Sequence, residues 1–240
     1  MSPENIIEKS KVSEKYIEVE EQVLNIANNG FLPKLYFTFQ DRTSYWICME
    51  YCPGKDLAYY LDNEGWFSEK KSRFYLSEWI VAIQKLHDKK IVYRDLKPNN
   101  VMLDSLGHIK LIDFNLSKVS HKNEKVSTKS FWGSYAYMPP EVIKRSKYGV
   151  EVDWYLCGVL LYEMLTGLPP YFSRSASKWQ LNILKEKLEI PDDVSDECAD
   201  LLEKLLDKDP NKRIGTNSGA SEIFSHSWFE EITFEQVEDK

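Results

Sequence analysis

The sequence predicts an α+β fold, in which a small N-terminal part contains strands and a larger part after it is mainly helical. Three observations lead to this prediction. Apolar side chains recur at helical spacing near the N-terminus, two β-rich runs follow them, and helical patterns cover most of the chain from Ser68 onward. The glycines and prolines, ten of each, lie mostly between these segments, and no internal repeat interrupts them. We therefore expect one continuous fold.

The first predicted element is a helix over residues 12–28. Apolar side chains recur there among charged ones, and the pattern ends at the stop signal Asn-Asn-Gly of residues 28–30. Two β-rich runs follow, at residues 35–40 and 45–51. The short polar segment that joins them predicts a β-hairpin.

The remaining predicted elements are mostly helices. Residues 68–87 have a helical pattern, and two short β-like runs, residues 101–103 and 109–112, then flank the turn of residues 104–107. A predicted loop covers residues 117–140. After it the helical pattern returns in residues 153–166, 178–187 and 195–206.

Composition and charge exclude several classes of protein. The chain has 240 residues, of which 42% are hydrophobic and 29% charged, as in ordinary globular domains. Its net charge of -7 argues against a nucleic-acid partner, because binding a phosphate backbone requires a basic surface. The N-terminus lacks the apolar core of a secretory signal. The longest apolar run, residues 154–165, is too short to span a membrane, so we expect a buried core helix there and a cytoplasmic protein.

The cysteines and histidines do not suggest a metal site or a disulfide framework. There is no Cys-x-x-Cys pair, and no histidines lie at metal-ligand spacing. We interpret the four cysteines as reduced thiols and the four histidines as structural or solvated. These residues are Cys48, Cys52, Cys157, Cys198, His87, His108, His121 and His226.

Two polar motifs border the short β-like runs. In the first, residues 93–100, a carboxylate at Asp95 precedes Lys97 by two residues and Asn100 by five. The second, Asp-Phe-Asn at residues 113–115, begins thirteen residues after Asn100. Either motif alone is usually a turn or a solvated loop. In this order, each beside a short β-like run, the two together are hard to obtain by chance.

These motifs resemble the catalytic loop and the metal-binding triplet of protein kinases. Three later segments fit the same resemblance. Residues 138–141, Met-Pro-Pro-Glu, resemble the motif that closes the activation segment, and residues 153–155 with Gly158 resemble the start of the helix that anchors the catalytic loop. Residues 209–213 complete the series.

Other details resemble the AGC group of serine/threonine protein kinases. They are Tyr93 in the catalytic loop, the Pro-Gly-Lys-Asp-Leu that follows Cys52, and the Ser-Phe-Trp-Gly-Ser of residues 130–134. The resemblance covers nearly the whole chain. It implies a protein-kinase-like fold with a truncated small lobe, residues 1–51, and a mainly helical large lobe, residues 52–240.

The resemblance implies a serine/threonine protein kinase that uses ATP and Mg²⁺ to phosphorylate protein or peptide substrates. Asp95 would orient or deprotonate the substrate hydroxyl, and Lys97 would stabilise the transferred phosphoryl group. Asn100 and Asp113 would hold Mg²⁺. The implied nucleotide-binding residues are Glu20, Met49, Glu50, Cys52, Asp56, Met102 and Asp113.

The same resemblance implies a structural ion pair and a regulatory site. Glu141 would pair with Arg213 in the interior of the large lobe. Ser130 is predicted to be the site that an upstream activating kinase phosphorylates, because a phosphate there would face Arg94 and Lys118. Thr128 is the second candidate for this phosphorylation.

Two parts of the kinase pattern are missing from the sequence. There is no Gly-rich loop, and counting back from Glu20 by the family spacing places the expected strand Lys at about Met1. We therefore expect a truncated chain that transfers phosphate slowly. The alternative is a pseudokinase or regulatory binding module without phosphotransfer. Asn115 replaces the usual Gly of the triplet, but Asn tolerates left-handed backbone geometry, so metal binding by Asp113 can survive.

The resemblance also bears on substrate choice. AGC kinases favour Arg before the acceptor residue and read it with carboxylates. Asn99 stands where the catalytic-loop carboxylate would be, whereas Glu163 and Asp56 keep the other two positions. We expect selection to weaken for Arg two residues before the acceptor and to persist for Arg three before it.

Overall fold

The computed structural model describes residues 6–9, 14–27, 29–42, 44–120, 128 and 135–238. Its N-terminal unit consists of strand β1 (Ile6–Lys9), helix α1 (Glu14–Ile26), strand β2 (Leu35–Gln40) and strand β3 (Tyr45–Met49). The strands form one antiparallel sheet in the order β1-β3-β2. The predicted helix and hairpin are confirmed. Strand β1 was not predicted, because four residues are too few to show a strand periodicity.

The larger unit is mainly helical, as predicted. Its helices are α2 (Leu57–Glu64), α3 (Glu69–Asp88), α4 (Pro140–Ile143), α5 (Glu151–Thr166), α6 (Ala176–Lys185), α7 (Asp196–Leu205), α8 (Ala220–Phe224) and α9 (Phe234–Glu238). Its strands are β4 (Ile91–Val92), β5 (Val101–Leu103), β6 (Ile109–Leu111) and β7 (Lys118–Val119), which form the antiparallel pairs β4–β7 and β5–β6.

Helix α5 lies at the centre of the larger unit. It is apolar on all sides, which is typical of a helix surrounded by protein, and it packs against α3 and α7. Trp154 and Leu160 on this helix have no exposed surface. The predicted core helix is therefore confirmed. In the described part of the chain, no helix is both long and apolar enough to cross a membrane.

The predicted ion pair between Glu141 and Arg213 is confirmed. Arg213 Nη1 lies 2.7 Å from Glu141 Oε1, and Nη2 lies 3.0 Å from Oε2, so the two side chains meet in a bidentate pair. Arg213 also donates to the backbone oxygen atoms of Asp207 and Glu151. Arg213 has no exposed surface and Glu141 is 3% exposed, so the pair joins α4 to the segment after α7 within the core.

Both ends of the predicted loop over residues 117–140 contain regular secondary structure. Strand β7 occupies its beginning and α4 starts at its last residue, Pro140. A two-residue strand has no periodicity to read, which is why the sequence did not reveal β7. Helix α2 was also missed, although Asp56 is a recognisable N-cap that accepts a hydrogen bond from the Tyr59 backbone nitrogen at 2.7 Å.

All four cysteines are buried with free thiols. Burial raises the pKa of Cys52 to about 11 and that of Cys198 to about 12, and it raises the pKa of Cys157 well above its usual value. These thiols are therefore protonated at neutral pH.

Candidate active site

The first polar motif is fixed to the core helix through Asp153. The Asp153 carboxylate accepts hydrogen bonds from the backbone nitrogen atoms of Tyr93, at 2.9 Å, and Arg94, at 2.8 Å. His87 Nε2 lies 2.7 Å from the same carboxylate. Arg94 has a positive φ of 71°, a strained conformation for a residue with a side chain, and these bonds hold it there. The motif is thus positioned by α5 and by the C-terminal end of α3.

Asp95 lies at the centre of a polar cluster formed by this motif. Its Oδ2 atom accepts hydrogen bonds from Lys97 Nζ at 2.8 Å and from Asn100 Nδ2 at 2.7 Å. Asn100 Nδ2 also donates to the Asp95 backbone oxygen, at 2.9 Å. Asp95 is only 6% exposed. The arrangement holds a carboxylate in one orientation, as a positioned general base requires.

The second motif is connected to the first by a hydrogen bond from the Ile112 backbone nitrogen to the Asn100 oxygen, at 3.0 Å. Phe114 is fully buried and its ring packs edge-on against Tyr93, with 5.4 Å between the ring centres. Burial raises the pKa of Tyr93, so its hydroxyl stays protonated and donates to the Ile112 oxygen at 2.6 Å. Asp113 has a positive φ of 62°. The structure therefore brings the segments of Asn100 and Asp113 together.

The side chains of Asn100 and Asp113 fit a hard divalent cation such as Mg²⁺, which prefers oxygen ligands. The amide nitrogen of Asn100 is used by Asp95, so its carbonyl oxygen is the atom available to a cation. Within the described residues, there is no cluster of three or more His, Cys, Asp or Glu side chains that could hold a metal. Mg²⁺ sites commonly combine one or two carboxylates with phosphate oxygens and water.

Three of the predicted nucleotide-binding residues, Glu20, Met49 and Asp113, line one cavity of about 170 Å³ between α1, β3 and the second motif. Asp56 and Met102 are paired by a β-bridge on the side of the larger unit. Glu50 and the buried Cys52 lie just after β3, between Met49 and Asp56 along the chain.

The sequence reasoning missed Lys110, which lies on β6 and is 8% exposed. Its Nζ lies 3.0 Å from Glu50 Oε2 and 3.4 Å from the Leu32 oxygen. Glu50 also accepts a hydrogen bond from the Lys34 backbone nitrogen, at 3.1 Å. A lysine inside an otherwise apolar β-run was the available signal. Lys110 fixes the segment after β3 to the β5–β6 pair.

The predicted phosphorylation site Ser130 lies outside the described residues. The second candidate, Thr128, is paired through its backbone with Tyr148, with both hydrogen bonds at 3.0 Å. The Tyr148 hydroxyl lies 3.3 Å from Arg94 Nη1, and Arg94 Nε donates to the Leu116 oxygen. Thr128 is thus connected through Tyr148 to Arg94, which is predicted to face the phosphate of an activated chain.

Comparison with known proteins agrees with this geometry. Residues 4–229 match the family model described as protein kinase domain. "Protein kinase 3" of Dictyostelium discoideum is 37% identical over 248 residues, which include 100% of this chain and 27% of that protein. "Serine/threonine-protein kinase YPK1" of Saccharomyces cerevisiae is 40% identical over 97% of this chain and 34% of its own length.

"Serine/threonine-protein kinase Sgk1" of Xenopus tropicalis is 40% identical over 96% of this chain and 55% of its own length. The chain thus spans between about a quarter and about half of the length of these relatives. The relatives confirm the resemblance to the AGC group. The chain belongs to the protein kinase domain family.

Proposed function

We propose that the chain is a serine/threonine protein kinase that transfers the γ-phosphate of ATP to Ser or Thr hydroxyls of proteins, with Mg²⁺ as cofactor. The main observation behind this proposal is the cluster in which Asp95 Oδ2 accepts from both Lys97 and Asn100. A binding module without chemistry has no need of a buried carboxylate oriented in this way. The names of the relatives, as serine/threonine-protein kinases, support the same function.

In the proposed reaction, Asp95 accepts the proton of the substrate hydroxyl as its oxygen attacks the γ-phosphorus. The new oxygen–phosphorus bond forms while the bond to the bridging oxygen of ADP breaks. Lys97, already 2.8 Å from Asp95, stabilises the charge of the transferred phosphoryl group. Asn100 and Asp113 would hold Mg²⁺, which neutralises charge on the phosphates when bound.

We place the nucleotide between a small lobe, residues 1–51, and a large lobe, residues 52–240. The backbone from Glu50 to Cys52 faces the adenine in this proposal, Asp56 lies near the ribose, and Met102 contacts the base from the large lobe. In the same proposal Glu20 and Met49 line the inner end of the nucleotide pocket, beside Asp113. The cavity that these three residues share supports this placement.

The proposal is tested by incubating the chain with ATP and a mixture of Ser- and Thr-containing peptides, and by identifying phosphorylated products by mass spectrometry. We expect phosphate on peptide hydroxyls, and we expect chelation of Mg²⁺ to prevent its appearance. The proposal would be contradicted if no peptide were phosphorylated and the affinity for the nucleotide were the same with and without Mg²⁺.

Asn99 is exposed on the catalytic loop, next to Asn100 of the hydrogen-bonded cluster around Asp95. We propose that it weakens selection for Arg two residues before the acceptor. A hydrogen bond to a charged group is worth about 1.5–3 kcal/mol, so Asn99→Glu is expected to increase the preference for this Arg roughly tenfold or more. A positional peptide array measures the effect. An unchanged preference at this position would show that the loop does not contact that Arg.

Glu163 is the remaining carboxylate proposed for the same Arg. It lies on α5 and accepts a hydrogen bond from the Tyr137 hydroxyl at 2.7 Å. Burial raises the pKa of Glu163 to about 7; the Tyr137 hydrogen bond opposes this shift and the nearby charge of Asp62 adds to it. The carboxyl group is therefore neutral below about pH 7 and charged above it.

The affinity for a peptide with Arg two residues before the acceptor is therefore expected to rise with pH through about 7, since only the charged carboxylate attracts Arg strongly. Fluorescence anisotropy between pH 5.5 and 8.5 measures this change. A peptide with Ala at that position provides the control, and Glu163→Gln is expected to remove the dependence. An equal pH dependence for both peptides would assign the effect to another group.

A further inference from the structure

Lys110 on β6 places a buried cation next to the segment that follows β3. Its side chain is 10% exposed, and that of its partner Glu50 is 33% exposed. The Lys110 Nζ atom lies 3.0 Å from Glu50 Oε2 and donates to the Leu32 oxygen at 3.4 Å. Leu32 precedes the β2–β3 hairpin and Glu50 follows it. Because burial penalises an unpaired charge, these two contacts hold the ammonium group between β6 and both ends of the hairpin.

The strand segment of residues 110–112 is bonded to several parts of the molecule at once. The Leu111 backbone nitrogen donates to the Phe31 oxygen at 2.8 Å, and the Ile112 nitrogen donates to the Asn100 oxygen at 3.0 Å. The second motif begins at the next residue. A shift of the segment after β3 relative to β6 would therefore also be a shift relative to the motif that is proposed to hold Mg²⁺.

Glu50 is bonded to the start of β2 as well as to Lys110. Its backbone nitrogen donates to the Lys34 oxygen at 2.8 Å, and the Lys34 nitrogen donates to Glu50 Oε2 at 3.1 Å. Burial raises the pKa of Cys52, the charge of Glu50 adds to this shift and the charge of Lys110 opposes it, so the pair lies close to Cys52. Removing the Lys110 ammonium group would leave Glu50 bonded to the N-terminal unit, while its connection to β6 is lost.

We propose that Lys110 is a positioning residue for the nucleotide, which holds the backbone of residues 50–52 in the geometry that binds adenine. The inference rests on the proposed kinase function, in which this backbone faces the adenine. Without the pair with Glu50, these residues would occupy several conformations, and the apparent affinity falls with the fraction of molecules that is competent to bind. The adenine takes no part in the chemical step. The loss is therefore equal in the ground state and the transition state, and it appears in KM for ATP.

Lys110→Met is expected to raise KM for ATP about tenfold and to leave kcat unchanged, since a hydrogen bond between charged groups is typically worth this factor. Met keeps the length of the apolar stem and removes only the ammonium group. Lys110→Arg retains the charge and should restore most of the affinity. Steady-state kinetics at a saturating concentration of peptide measure both constants. A fall in kcat that matches the rise in KM would show that Lys110 acts on the chemical step, and would overturn the inference.

Further variants test whether the pair with Glu50 is the reason for this loss. Glu50→Gln changes the more exposed partner, which places the fold at less risk, and it should show part of the same rise in KM. Combined with Lys110→Met it should bind ATP no more weakly than Lys110→Met alone, because both changes remove one contact. Lys85→Met breaks an ion pair with Glu238, between α3 and α9, and is the control that should leave KM unchanged. Thermal unfolding confirms that each variant is folded.

Direct binding of two ligands separates an effect on the adenine from an effect on the phosphates. Adenosine contains the base without any phosphate, whereas ADP in the presence of Mg²⁺ contains both. Because the proposed contact is with the base, Lys110→Met should weaken the binding of adenosine and of ADP by the same factor, about tenfold. Isothermal titration calorimetry measures the two affinities. Weaker binding of ADP alone would assign the effect to the phosphates and Mg²⁺, and would overturn the inference.

The same binding measurements distinguish this inference from the kinase proposal. If no peptide is phosphorylated but Lys110→Met weakens adenosine binding about tenfold, the kinase proposal fails and the role of Lys110 is supported. If the parent chain phosphorylates peptides but Lys110→Met binds adenosine as tightly as the parent does, the kinase proposal stands and the role of Lys110 is overturned. A parent chain that binds neither adenosine nor ADP would overturn both.

Discussion

Replacing Asp95 with Asn is expected to lower kcat by between about 10²- and 10⁴-fold, the usual contribution of a general base. Asn has the same shape as Asp, and its side-chain oxygen can still accept hydrogen bonds from Lys97 and Asn100, which Asp95 Oδ2 accepts at 2.8 and 2.7 Å. It cannot take up the proton of the substrate hydroxyl. Steady-state kinetics with a peptide substrate measure the change.

Nucleotide affinity and thermal stability should stay close to those of the parent chain, because Asp95→Asn removes a charge without creating a cavity. Asp196→Asn, at an exposed carboxylate in the first turn of α7, is the matched control and should leave kcat unchanged. A kcat for Asp95→Asn within threefold of the parent value would show that Asp95 is not the base.

Arg213→Met is expected to lower the free energy of unfolding by about 3–5 kcal/mol, because it leaves the carboxylate of Glu141 buried without its partner. Glu141 is 3% exposed, and Arg213 also donates to the backbone oxygen atoms of Asp207 and Glu151. Loss of the guanidinium leaves these acceptors unpaired as well. Urea unfolding followed by tryptophan fluorescence measures the change.

Two variants test the physical reason for this loss. Lys204→Ala breaks an ion pair with Asp200 in which both side chains are about half exposed, and it should cost less than about 1 kcal/mol. Glu141→Leu combined with Arg213→Met removes both buried charges and should be more stable than Arg213→Met alone. A double variant as unstable as the single one would attribute the loss to packing instead.

Sequence reasoning succeeded where a pattern is local. Helices α3 and α5 have long apolar periodicities and were located to within two residues at each end. The pair of Glu141 and Arg213 is not local, and it was predicted from the resemblance to protein kinases instead. Strands β4 and β7 were not located, since two residues each cannot show a period.

The contacts that fix the candidate site could not be read from the sequence in the same way. His87 and Asp153 are 66 residues apart, and His87 was interpreted only as structural or solvated. The structure shows it to be structural, since it is 8% exposed and lies against the Asp153 carboxylate. Lys110 and Glu50 are 60 residues apart. Such pairs depend on how the helices and strands pack together. The local periodicity of the sequence contains no information on this packing.

The buried cysteines make the folded chain slow to react with electrophiles. Alkylating reagents attack the thiolate, and the raised pKa values of Cys52, Cys157 and Cys198 leave very little thiolate at neutral pH. An unfolded thiol, with a pKa of about 8.5, reacts much faster. Labelling rates at these positions therefore report how often each region opens to solvent. Cys52, beside Glu50, would register opening at the junction of the two units, whereas Cys157 on α5 would be alkylated only when the core itself unfolds.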